Sequence, residues 1–208
     1  MKKNEDKKKK NNNVSLITLG EGQVGKTSII YRYIDDTFTS NYLATIGIDS
    51  KFKKIKLASG EEIKVKILDT AGQERFQSIA ANYIKKADGI VFVYDITKAY
   101  TFTNLEKWLS NIDEVANDKP CLLIGNKSDM NDKRAVSKEE GMEFTKKFKK
   151  ETHFYETSCK TGENVDKAIN DLVNQIYSKS LGNEQGKGGL QLEKDSKNDD
   201  KNKKRKCC

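Results

Sequence analysis

Near the start of the chain, GEGQVGKTS at residues 20–28 places Gly20, Gly25, Lys26 and Thr27 at the spacing G-x-x-x-x-G-K-[ST]. Those residue types suit one task, the capture of a polyphosphate. Glycines let the backbone curl until successive N–H groups point inward as an anion nest. A helix starting there adds the positive end of its dipole. Lys26 can reach terminal phosphates as a point charge, and the Thr27 hydroxyl is placed to ligate Mg²⁺.

Three further polar motifs share a feature with the first: DTAGQ at 69–73, NKSD at 126–129 and TSCK at 157–160 each follow an apolar run. Asp69, at a strand end opposite the glycine loop, can bind Mg²⁺ through a water. Gly72 has no side chain, so its N–H can approach a γ-phosphate closely. Asp129 offers a carboxylate, an acceptor pair for adjacent N–H donors. Guanine presents such a pair on its N1 and N2 edge and adenine does not, so this loop would select guanine.

The elements that must hold these loops are legible as well. VSLITL at 14–19 leads into the glycine loop as a buried strand, and SIIYRYI follows it with apolar residues at helical intervals. IDSKFKKIKL, Ser59-Gly60 and EEIKVKIL read as a hairpin whose second strand alternates Ile63, Val65 and Ile67 with Lys64 and Lys66. A helix to about Lys86 precedes GIVFVYDI at 89–96, a continuous apolar run expected of a parallel strand covered on both faces. Residues 101–116 read as one amphipathic helix carrying Phe102, Leu105, Trp108, Leu109, Ile112 and Val115 on one side. CLLIGNKSD, a helix at 137–150 opened by the capping box Ser137–Glu140, a strand at HFYETSCK and a helix at 165–176 complete the chain. Six strands alternating with helices predict a doubly wound α/β fold with a mostly parallel six-stranded sheet and helices on both faces. Its four polar loops then gather at the strands' C-terminal ends, where ligands bind.

Composition narrows the function class. Of the net charge of +8, residues 1–13 hold six lysines against two acids, or +4, and residues 182–208 hold eight basic residues against five acids, or +3. About +1 remains for everything between, so the foldable part lacks the basic face of a nucleic-acid-binding domain. MKKNEDKKKK lacks the apolar core of a signal peptide, and no run approaches the length of a membrane-spanning helix. Four scattered cysteines and one histidine fit neither a disulfide framework nor a metal-ligand spacing, and the compartment expected is the reducing cytosol.

In this order, residues 20–28, Thr45-Ile46-Gly47, DTAGQERF, GNKSD and ETSCK resemble the nucleotide-binding motifs of Ras-like small GTPases. IGID, DTAGQERF and the terminal Cys207-Cys208 are similar, within them, to the Rab family. The likeness spans about residues 14–177, which it implies are one GTPase domain, between a disordered Lys/Asn-rich tail at 1–13 and a hypervariable tail at 178–208. It implies that Lys26 and the backbone of Gly22, Gln23, Val24, Gly25, Thr27 and Ser28 hold the phosphates of GTP or GDP. Thr27 and Thr45 would ligate Mg²⁺, with Asp69 behind a water. Phe38 would lie against the guanine, Tyr42 would close over the phosphates, and Gln73 would orient the attacking water. Asn126, Lys127 and Asp129 would bind guanine, helped by Ser158, the Cys159 backbone and Lys160. Residues 37–47 and 72–83 become two switches that order around the γ-phosphate and loosen when it leaves.

The resemblance further implies an exchange factor, an activating protein, effectors, and escort and dissociation-inhibitor proteins. Geranylgeranyl groups on Cys207 and Cys208 would anchor the chain to the cytoplasmic face of an intracellular membrane, from which it cycles with the cytosol to regulate vesicle traffic. The chain departs from the family pattern at Ser50 and Leu68, where aromatic residues are usual, while Tyr83 is kept. Gln23 stands where Gly is common, and Cys159 where Ala is usual. Trp108 reads as a helix-packing residue. A P-loop kinase or ATPase would share residues 20–28 but have no use for NKSD, and a scaffold that does not hydrolyse GTP would normally lack Gln73.

Overall fold

A computed structural model describes residues 12–40, 45, 47–57, 59–70, 77–116, 119–149 and 151–185. Six strands form one sheet: β1 (Asn13–Leu19), β2 (Ile48–Lys56), β3 (Glu62–Thr70), β4 (Gly89–Asp95), β5 (Cys121–Asn126) and β6 (Thr152–Thr157). Their order is β2-β3-β1-β4-β5-β6, with β2 and β3 antiparallel and every other pair parallel. This is the doubly wound, mostly parallel architecture that the sequence pattern predicts.

The helices are α1 (Lys26–Asp35), α2 (Gln77–Lys86), α3 (Ala99–Thr103), α4 (Leu105–Ala116), α5 (Lys138–Phe144) and α6 (Val165–Gln185). They cover the sheet on two sides. On one, α1 and α6 bury Ile29, Ile30, Tyr33, Ile169, Leu172 and Val173 against Leu16, Val91, Val93 and Ile124. On the other, α2, α4 and α5 bring Ile84, Leu105, Trp108 and Phe144 against Ile17, Phe92, Tyr94 and Leu123. Buried on both faces, β4 and β5 expose none of their residues, which is why they read as unbroken apolar runs.

Three elements differ from the sequence pattern. Residues 101–116 do not form one helix: α3 closes at Thr103 and α4 begins at Leu105, with Asn104 between them. The hydroxyls of Thr101 and Thr103 bond to the carbonyls of Lys98 and Tyr100, a local competition that weakens helix continuity. The capping box at Ser137 and Glu140 forms as expected, but α5 stops at Phe144 and a 3₁₀ turn, Thr145–Lys147, follows. Phe144 and Phe148 pack edge to face 5.9 Å apart and reach Phe102 and Phe92, so aromatic packing sets that end. The last helix runs to Gln185 rather than Ile176, because Tyr177 and Leu181 continue the stripe of Val173 onto the core. Expectations for residues 1–11 and 186–208 lie outside the described residues.

Candidate functional site

The loop of residues 20–28 leaves β1 and enters α1 at the C-terminal edge of the sheet's parallel strands. Its geometry depends on two glycines. A Cβ on Gly20 would lie 2.1 Å from the Val93 carbonyl oxygen, and one on Gly25 would lie 2.2 Å from Asn126 Nδ2. Both also have positive φ, at +141° and +101°. Between them Lys26 folds back, its Nζ donating to the carbonyls of Gly20 at 2.9 Å and Glu21 at 2.8 Å. Only 4% of Lys26 is exposed. Burial lowers its pKa to about 8, although Asp69 and Glu21 pull it upward.

Asp69 meets this loop from the end of β3. Two buried threonines fix the strand pair: Thr18 Oγ1 donates to the Leu68 carbonyl at 3.1 Å, and Thr70 Oγ1 to the Thr18 carbonyl at 2.7 Å. Thr27 and Thr45 then donate to the same oxygen, Asp69 Oδ2, at 2.7 and 3.1 Å, and their hydroxyls lie 2.9 Å apart. Asp69 Oδ1 is buried with no hydrogen-bond partner among the described residues. Burial raises the carboxyl's pKa, opposed by the two threonines and the Lys26 charge, with Asp49 adding to the rise. Three oxygen-bearing side chains from separate segments, one carrying an orphaned oxygen, suit a hard cation such as Mg²⁺.

The second cluster sits at the ends of β5 and β6. Asn126, 2% exposed, donates from Nδ2 to the Val24 carbonyl at 2.8 Å and accepts at Oδ1 from Thr157 Oγ1 at 3.2 Å and Cys159 Sγ at 3.5 Å. One of its N–H donors is therefore committed to the phosphate loop, and a second remains on the same nitrogen. Lys127 donates to the Gln23 carbonyl at 3.0 Å. Asp129 is exposed, and Ser158 Oγ, on a fully buried residue, donates to its Oδ1 at 2.7 Å. That bond turns the carboxylate as a ready acceptor.

Two bonds thus join the loop of residues 20–28 to the second cluster, Asn126 to Val24 and Lys127 to Gln23, while Thr27, Thr45 and Asp69 bond to one another and Ser158 to Asp129. Gly22 and Ser28 share the same loop, Phe38 is exposed after α1, and Lys160 is exposed beside Cys159. Tyr42, Gly72, Gln73, Cys207 and Cys208 lie outside the described residues.

Two contributors, Arg32 and Asp95, were not singled out from sequence. Arg32 on α1 donates to the carbonyls of Cys159 at 2.7 Å and Lys160 at 3.2 Å, holding the base loop against the helix that follows the phosphate loop. Asp95 ends β4, buried, and pairs with Lys127 at 2.6 Å. Trp108 packs in the core as expected, and its indole also donates to Glu21 Oε1 at 3.3 Å. Cys159 is buried and its thiol pKa is pushed up to about 12, which keeps it neutral. Only the strand-end position of Asp95 could have drawn attention to it beforehand.

A mostly parallel sheet with the glycine loop of residues 20–28 after its first strand, Asp69 opposite it and residues 126–129 alongside is the arrangement of P-loop nucleotide hydrolases. Comparison with known proteins narrows this. The Ras family model matches residues 15–178. Ras-related protein Rab-10 of Diplobatis ommata is 46% identical over 166 residues, covering 79% of this chain and 82% of the relative. Ras-related protein Rab-13 of Rattus norvegicus is 39% identical over 193 residues, 92% of this chain and 94% of the relative. Ras-related protein Rab-8B of Homo sapiens is 44% identical over 165 residues, 79% and 78% of the two chains. The chain belongs to the Ras family, among its Rab-type small GTPases, and is a GTPase.

Proposed function

We propose that the chain is a Rab-like switch that regulates vesicle and membrane traffic, binding effectors in its GTP form and releasing them after hydrolysis to GDP and phosphate. The observation that carries this reading is the meeting of Thr27, Thr45 and Asp69 at one carboxylate oxygen. It links the phosphate loop, the first switch and the end of β3, so a ligand seated there is felt in all three.

In this reading the backbone of Gly22, Gln23, Val24, Gly25 and Ser28 cradles the phosphates, with Lys26 as the fixed cation. Thr27 and Thr45, with Asp69 behind a water, would hold Mg²⁺, which supplies neutralisation of the charge shared by the β- and γ-phosphates. Tyr42 closes over the phosphates, and Gly72 offers its N–H to the γ-phosphate. Gln73 orients the water for in-line attack, and no covalent chemistry is asked of the protein. Phe38 lies against the guanine, whose edge meets Asp129 and the second N–H of Asn126, beside Lys127, Ser158, Cys159 and Lys160.

No arginine finger is assigned within the chain. One supplied by an activating protein accelerates such reactions by roughly 10³–10⁵. Unaided turnover is therefore slow, and an exchange factor is needed for reloading. Among the described residues no helix is long and apolar enough to cross a membrane. Attachment falls to Cys207 and Cys208 as geranylgeranyl sites, served by escort and dissociation-inhibitor proteins, on the cytoplasmic face of an intracellular membrane.

Replacing Gln73 by Leu tests the catalytic part. GTP should stay bound while hydrolysis nearly stops, since the attacking water loses its orienting partner. Hydrolysis by Gln73→Leu at the wild-type rate, with and without an activating protein, would overturn the assignment.

A further inference from the structure

Asp95 is one of the most deeply buried charged residues of the fold, 1% exposed at the end of β4 and in register with Asn126 on β5. Its Oδ1 is fixed by Thr97, whose backbone N–H and hydroxyl donate at 2.9 and 2.7 Å. Its Oδ2 faces Lys127 Nζ at 2.6 Å. The same ammonium donates to the carbonyl of Gln23 in the phosphate loop at 3.0 Å. Gln23 carries a side chain and yet sits at φ +64°, and Lys127 itself sits at φ +72°. A residue with a Cβ enters that region only at a cost that glycine avoids, so something must hold it there.

We propose that Asp95 is a positioning residue: acting through Lys127, it clamps Gln23 in the left-handed conformation and so keeps the phosphate loop shaped for its nucleotide. The inference rests on the guanine-nucleotide reading above. The clamp works by charge. A buried carboxylate left alone is costly, so it holds the ammonium firmly, and the ammonium in turn holds the Gln23 carbonyl. Asn126 ties Val24 from the same side, so two adjacent loop residues are anchored at the end of β5.

The test is a cycle on the full chain loaded with fluorescent GDP, read as the rate of release into excess unlabelled GDP. Asp95→Asn keeps the shape and the Thr97 donors but sets an amide N–H against the ammonium. Release should quicken about tenfold with Gln23 in place, and by no more than about twofold in a Gln23→Gly background, where the left-handed turn needs no clamp. Equal acceleration in both backgrounds would mean that Asp95 acts through the fold alone, and release at the wild-type rate would mean that it does not act. Either result overturns the clamp.

If Asp95→Asn does not fold, Thr97→Val removes one donor that fixes the carboxylate. About threefold faster release with Gln23, and no change with Gln23→Gly, then supports the clamp, and equal rates overturn it. Wild-type protein that retains no GDP would instead defeat the guanine reading, and the clamp with it.

Discussion

Replacing Asn126 by Ala removes the side chain that joins the base loop to the phosphate loop. Its amide is 2% exposed and bonds to the Val24 carbonyl at 2.8 Å, Thr157 Oγ1 at 3.2 Å and Cys159 Sγ at 3.5 Å. The thiol contact is weak, so the loss is governed by the other two. Each buried polar group left without a partner costs about 1–3 kcal/mol. Val24 and Thr157 together therefore lose roughly 2–6 kcal/mol, less whatever a water entering the small space recovers. At 1.4 kcal/mol per factor of ten, the lower figure already speeds GDP release about 30-fold if it falls on the nucleotide-bound loops. The assay is release of fluorescent GDP under excess unlabelled GDP, with melting of the GDP-loaded protein alongside. Cys159→Ala serves as the comparison and should change release by no more than about threefold, since it removes only the thiol contact. Release from Asn126→Ala within about twofold of wild type would refute the reasoning, for the Asn126 bonds would then carry no coupling between the two loops.

Lys26 gives a pH test. Its folded pKa is lowered from 10.5 to about 8, so between those values the unfolded chain binds the extra proton and the folded chain does not. Stability of the nucleotide-free protein should therefore rise with pH through that window, by a contribution of order 3 kcal/mol from this group, while affinity for GDP falls as the ammonium is lost. Melting and titration on both sides of pH 8 check the two opposite trends, and an affinity that does not fall would contradict the role of Lys26. Replacing Cys207 and Cys208 together by Ser should leave nucleotide binding intact and move the protein to the soluble fraction, because one lipid chain anchors only reversibly and none not at all. Sedimentation of that variant with membranes after a high-salt wash would contradict the lipid anchor, since salt screens the attraction of Lys203, Lys204, Arg205 and Lys206 to anionic lipid.

How much of this was legible beforehand follows from the range of each interaction. The mostly parallel sheet of alternating strands and helices and the glycine loop before α1 announce themselves through local pattern: apolar runs and fixed glycine spacing. The capping box at Ser137 is local too, and it formed. The contacts of Arg32 with Cys159, of Lys127 with Gln23 and of Asp95 with Lys127 join segments far apart in the chain, and nothing near Arg32 or Asp95 marks a partner. The same holds for helix ends. The stripe of Val173, Tyr177 and Leu181 carries α6 to Gln185 because a core surface awaits it, and polar composition after Ser178 conceals that. Conversely, α5 is cut short where Phe144 and Phe148 turn into an aromatic cluster that periodicity does not reveal.

The central claim is that this site holds a guanine nucleotide, and titration calorimetry of the wild-type chain and Asp129→Asn with GDP, ADP and XDP tests it most directly. Ser158 already orients Asp129 as an acceptor, so wild-type protein should bind GDP tightly and ADP negligibly. Asp129→Asn should lose GDP and gain XDP, whose C2 oxygen accepts from the new amide. Equal affinity of the wild-type protein for GDP and ADP would contradict the account.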